Sequence, residues 1–134
     1  MSRRRSLTLG MLALAAATIG AGRANAAATT APVIEVVTLT IKPGTPVEAF
    51  RAADAAVGRE HVARQPGFLS RESAAGAEGS WLVIVHWRSI ADAQASMNSF
   101  AKAPAAARFM ALIVSDSMHM TRYGGAAGGV RPRR

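Results

Sequence analysis

Hydrophobic and polar positions along this chain repeat with two periods, and the switches between them mark the elements. Residues 33–41 read VIEVVTLTI, a short run rich in β-branched side chains, which predicts a strand. Lys42-Pro43-Gly44 breaks it. Thr45-Pro46-Val47-Glu48 has the form of a capping box with proline in the first turn, so a helix is expected to follow. Val47, Phe50, Ala53 and Val57 recur at helical spacing, with Arg51, Asp54 and Glu60 off that stripe. The helix should run to about Gln65, because Pro66 disfavours helical geometry in the residue before it. Strands are predicted over 68–73 and 81–88, joined by the polar Gly/Ala loop 74–79. Ser89-Ile90-Ala91-Asp92 is a second capping box, opening a helix to about Ala103. Pro104 starts a further short helix through Phe109 and Leu112, and 117–123 is the last strand. The order β-α-β-β-α-β is that of a ferredoxin-like α+β domain.

The third strand also bears on assembly. One face carries Trp81, Val83, Val85 and Trp87, and the other carries Leu82, Ile84 and His86. A sheet with helices on one side and water on the other alternates apolar with polar. Here both faces are largely apolar, so the second face is expected to be covered, most simply by an identical sheet in a two-fold homodimer.

The two ends lie outside this domain. Residues 1–26 combine Arg3, Arg4 and Arg5, an Ala-rich apolar run over 7–19 and the small-x-small site Ala24-Asn25-Ala26, which is the pattern of a secretory signal peptide. The run is too short to span a bilayer, so no stable membrane anchor is expected. Consecutive arginines and Arg23 near the cleavage site resemble a twin-arginine signal. Export to the periplasm or beyond follows by either route. Residues 27–32 read as a linker, 33–123 as one domain, and 124–134, with GGAAGG and three arginines, as a flexible basic tail.

Charge looks different once the ends are set apart. The full chain carries +8, but four arginines belong to the leader and three to the tail, which leaves the body at about +1. Its basic residues alternate with acids, as in Arg51/Asp54 and Arg59/Glu60, which excludes a nucleic-acid surface of clustered Lys and Arg. The chain has no cysteine, so an exported form has neither disulfides nor a thiolate metal site.

Gln65-Pro66-Gly67-Phe68-Leu69 precedes the second strand, and Trp87-Arg88-Ser89, with Ala91 and Ala93, joins the third strand to its helix. These residues resemble the antibiotic biosynthesis monooxygenase (ABM) family of dimeric α/β-barrel proteins, and the element order agrees over 33–123. The resemblance implies a ferredoxin-like βαββαβ fold and a homodimer. Members include cofactor-free oxygenases of aromatic quinols, haem-degrading enzymes and proteins without a known reaction. The haem-degrading branch pairs a tryptophan ending strand three with an asparagine in strand one and a histidine in the following helix. Trp87 matches the first, but Val37 stands at the second position and Arg108 at or next to the third. Iron needs an imidazole or similar donor, so haem degradation is not expected, and no cofactor is.

A cofactor-free oxygenase needs an apolar pocket and a base for an electron-rich aromatic substrate. Trp81, Trp87, Phe68, Phe100, Phe109 and Met110 are the candidate walls, with Trp87 also a candidate catalytic residue. His86 is the candidate base by residue type. Trp87 as ordinary core and His86 as an interface histidine are the plainer alternatives. His61 reads as a helix-surface residue, and His119 has no assigned place. A metal site is not expected. His86 and His119 would be two strand spacings, roughly 10 Å, apart, too far for metal bonds of ~2 Å. Three readings stay open: a cofactor-independent monooxygenase of a small aromatic or quinol, a non-catalytic module holding a hydrophobic small molecule, and a purely structural dimer.

Overall fold

The computed structural model describes residues 31–124. The expected leader 1–26, most of the linker, and the tail beyond Gly124 lie outside the described residues. Four strands, β1 (Val33–Thr40), β2 (Phe68–Ala75), β3 (Ser80–Trp87) and β4 (His119–Gly124), alternate with α1 (Val47–Glu60), α2 (Ile90–Phe100) and α3 (Pro104–Ala111). The sheet order is β2-β3-β1-β4, with every neighbouring pair antiparallel. This is the α+β, ferredoxin-like arrangement, with β1 between β3 and β4 as expected from the chain order. Gly124, assigned to the tail from its Gly-rich context, is the last residue of β4 and sits opposite Val33.

Alternation along the strands sorts the side chains. Val33 and Leu39 of β1 and Trp81, Val83, Val85 and Trp87 of β3 enter the core with Phe50 and Val57 of α1, Ala93 of α2 and Phe109 of α3. The opposite face carries Leu82, Ile84 and His86, all half-buried, with Ile34 at 41% exposure and Tyr123 at 61%. The buried core therefore lies on one side of the sheet, and the other side presents apolar side chains outward.

Three expectations about α1 need correction; the first is its end, which comes at Glu60 and not near Gln65, with a 3-10 turn over Val62–Arg64 after it. Its N-cap is Pro46, with no side-chain cap bond; Thr45 does not cap, and Val47 is exposed. Asp54 is also not off the stripe. It is 3% exposed, between Phe50 and Val57 on the buried face, because β2 brings partners to it. Arg71 donates to its two carboxylate oxygens at 2.6 and 3.2 Å, and the Ser73 hydroxyl donates at 2.6 Å. At the second capping pattern Ser89 does cap: its Oγ accepts from the Asp92 backbone N–H at 3.1 Å and donates to the Asp92 carboxylate at 2.8 Å, in place of the reciprocal backbone bond of a full capping box. Gly67 must be glycine twice over. Its φ is +80°, and a Cβ there would lie on the Asp92 side chain. The turn it makes lets its carbonyl accept from Arg88 N–H at 2.8 Å, tying the start of β2 to the end of β3.

Candidate active site

A cavity of about 110 Å³ lies between the sheet and the helices. Its floor is Glu35 and Val37 of β1, Val83, Val85 and Trp87 of β3, and Arg71 of β2. Its roof is Val57 of α1, Val62 in the 3-10 turn after it, Ser96, Met97 and Phe100 of α2, Phe109 of α3, and Met118 ahead of β4. Met97 is the exposed member of this set, at 36%. The walls are mainly apolar, as in small-molecule sites generally.

The sequence candidates divide on this geometry. Trp87, Phe100 and Phe109 line the cavity. Phe68 stands behind, edge-on to Trp87 with ring centroids 6.0 Å apart. Trp81 is buried outside the lining, edge-on to Phe50 at 5.0 Å, with Arg51 over its ring at 5.4 Å. Met110 is 44% exposed on the outer side of α3 and forms no wall. His86 does not share the cavity. It neighbours Trp87 on β3, and adjacent strand residues point to opposite faces, so its ring lies on the open side of the sheet. His119 is exposed on β4 opposite Thr38, whose side chain also lies on that open face. Of the two positions tested against the haem-degrading pattern, Val37 lines the cavity, whereas Arg108 reaches outward to Glu60 at 3.2 Å. Among the described residues no three His, Cys, Asp or Glu side chains cluster to hold a metal.

His61 is the reverse case. Expected on the surface, it is 6% exposed. Its Nε2 donates to the Ser96 carbonyl at 3.2 Å, which leaves Nδ1 as the acceptor facing the Gln65 amide at 3.5 Å. The ring packs edge-on against Phe100 at 5.7 Å. His61 thus supports the cavity wall from behind. α1 ends at Glu60, so the residue after it turns inward instead of continuing the exposed face.

The polar side chains of the lining escaped sequence reading. Glu35 faces its directly opposed cross-strand partner Arg122, whose Nε donates to Oε2 at 2.8 Å. The pair is buried, with side chains 7% and 15% exposed. Arg71 is held by Asp54. Glu35 had a usable signal, being the acid at an inward position of an otherwise apolar run. Arg71 had none, because simple alternation from Phe68 turns it outward. A β-bulge between Phe68 and Ser70 shifts the register by one residue and turns Arg71 inward, opposite Val85. Chemically, the site offers a mainly apolar recess with one carboxylate and one guanidinium, while the indole N–H of Trp87 is buried with no protein partner.

Comparison with curated proteins finds no match to this chain. Among solved structures, the cofactor-independent oxygenase SnoaB of Streptomyces nogalater superposes with a TM-score of 0.61 at 19% identity, over 77% of this chain and 99% of its own. A protein of unknown function from Nitrosomonas europaea gives 0.58 at 18%, over 78% and 99%. A protein from Shewanella oneidensis gives 0.55 at 17%, over 72% and 92%. At such identities these likenesses establish a shared fold. The family model described as antibiotic biosynthesis monooxygenase matches residues 32–112, which is most of the described domain. On that match, and with the fold it requires in place, the chain belongs to the antibiotic biosynthesis monooxygenase family.

Proposed function

We propose that this protein is a cofactor-independent monooxygenase of a small aromatic or quinol substrate, exported and working as a homodimer. The observation that carries the reading is the cavity itself: an apolar slot between sheet and helices, walled by Trp87, Phe100 and Phe109. The structural likeness to a cofactor-independent oxygenase is consistent with it. An electron-rich aromatic anion supplies the electrons itself. An anthrone, for example, gives up two hydrogens from one ring carbon. One atom of dioxygen becomes the new carbonyl oxygen, and the other leaves with those hydrogens as water. The protein's part is to bind the ring, exclude water and hold the deprotonated form. The test is oxygen uptake with a panel of reduced naphthoquinols and anthrones. Turnover above spontaneous oxidation is expected, and no turnover with any of them sinks the reading.

A second reading has its own support. The two charged side chains of the lining are already ion-paired, and the candidate base His86 lies on the other face of the sheet. Those facts favour a non-catalytic module that holds a hydrophobic small molecule in the same slot. Saturable binding without oxygen uptake would select it.

Export rests on the residue pattern of 1–26. Replacing Arg3, Arg4 and Arg5 with lysine should block a twin-arginine route, whereas unimpaired export would point to the general secretory one. No helix among the described residues is long and apolar enough to cross a membrane.

A further inference from the structure

We propose that Met120 is a site of oxidation by hydrogen peroxide, and that the Arg122 guanidinium both speeds the reaction and holds the sulfoxide it forms. This goes beyond the reaction assigned to the cavity and does not depend on it.

The setting of Met120 follows from register. On β4 it stands directly opposite Val37, which lies on the cavity floor. Directly opposed residues share a face of the sheet, so Met120 points to the helix side and not to the outward apolar side. It remains 38% exposed, because β4 is an edge strand. Arg122, two residues on, points to the same side.

The Arg122 guanidinium is fixed by its other contacts. Nε donates to Glu35 Oε2 at 2.8 Å, and Nη1 donates to Gln94 Oε1 at 3.0 Å. Nη2 is left with two long contacts, the Ala93 carbonyl at 3.5 Å and Met120 Sδ at 3.9 Å. A thioether is a weak acceptor. A cationic donor therefore stands, poorly used, beside an accessible sulfur.

That arrangement suits oxygen transfer to sulfur. The sulfur lone pair attacks one oxygen of hydrogen peroxide, and the S–O bond forms as the O–O bond breaks. The other oxygen leaves as hydroxide and takes the proton from the new S–OH group, giving sulfoxide and water. Sulfur is oxidised by two electrons and the peroxide is reduced by two. Negative charge builds on the oxygens in the transition state, where a preorganised donor lowers the barrier. The product offers Nη2 a strongly accepting oxygen in place of a weak sulfur acceptor.

The neighbouring methionines supply the contrast. Met110 is 44% exposed and Met97 36%. Arg108, the arginine of the helix that carries Met110, is turned to Glu60 at 3.2 Å. Exposure alone ranks Met110 ahead of Met120, whereas the guanidinium ranks Met120 first.

The test is a time course of hydrogen peroxide treatment of the purified protein, read by mass-spectrometric peptide mapping. Met120 should convert at least about threefold faster than Met110, the effect of part of one charge-assisted hydrogen bond. A rate no higher than that of Met110 overturns the proposal. In Glu35→Gln combined with Arg122→Gln, which removes both charges of the pair together, the advantage of Met120 should disappear; an advantage that persists overturns the role of Arg122. Sulfoxides ordinarily disrupt the packing around them. With Met97→Leu, Met110→Leu and Met118→Leu combined, volume-conserving changes that leave Met120 to react, the treated protein should melt no lower than the untreated one. A lower melting temperature overturns the holding of the sulfoxide by Arg122.

Discussion

Asp54 occupies a position where the α1 stripe calls for an apolar side chain, and it is tolerated because Arg71 and Ser73 bring three hydrogen bonds to it. Removing one partner of such a buried pair leaves the other charge without compensation, at about 3–5 kcal/mol. Asp54→Ala should therefore lower the melting temperature by about 12 °C or more for a domain of this size, and Asp54→Leu combined with Arg71→Met should recover most of the loss. A thermal unfolding series checks this; a single variant as stable as wild type would show the pair contributes nothing. Charge alone hid this residue from sequence reading, because an acid at helical spacing looks like a solvated position until its partner on β2 is known. Glu35 was more legible, as the acid at an inward position of an apolar strand, but its partner Arg122, 87 residues on, was not. Trp87, singled out through its family motif, lines the cavity, whereas His86 was singled out by chemistry and sits on the other face of its strand.

Elements were easier to read than the faces they present. Period-two and period-3.6 runs located all four strands and three helices, since burial imposes those periods directly. The bulge in β2 was not legible, because nothing in Phe68-Leu69-Ser70 distinguishes a bulged strand from a regular one, and it decides that Arg71 lines the cavity. Two similar capping patterns also came out differently. Ser89 caps α2 from an extended backbone, whereas Pro46 follows Thr45 and itself becomes the N-cap of α1. Loss of an N-cap side chain costs about 1 kcal/mol. Ser89→Ala should thus reduce stability by that amount, about 4–8 °C in melting temperature, while Thr45→Ala should change it by less than half as much. Equal effects in calorimetry would mean that the Ser89 bonds to Asp92 do not hold the start of α2.

At the scale of the whole molecule, the fold places its buried core on one side of the sheet and an outward apolar side on the other, with Ile34, Ile84 and Tyr123 on it. Such a surface favours self-association. The protein should run as a dimer in size-exclusion with light scattering, and Ile84→Glu should shift it toward monomer while leaving the cavity side of β3 untouched. A clean monomer at micromolar concentration would remove the covered-face reading of β3. His86 lies on this same side, so its environment should change with assembly and not with cavity ligands.

On the proposed function, the chemistry takes place in the slot between sheet and helices. Val37 lies on its floor. Oxygen uptake with a quinol, measured for wild type and for Val37→Phe of matched thermal stability, is the decisive measurement. Wild type should consume oxygen faster than the spontaneous reaction, and the plugged variant should lose at least about tenfold of that excess, since filling a site of this size excludes one ring. Equal rates in the two proteins, or none above the spontaneous rate in either, would contradict it.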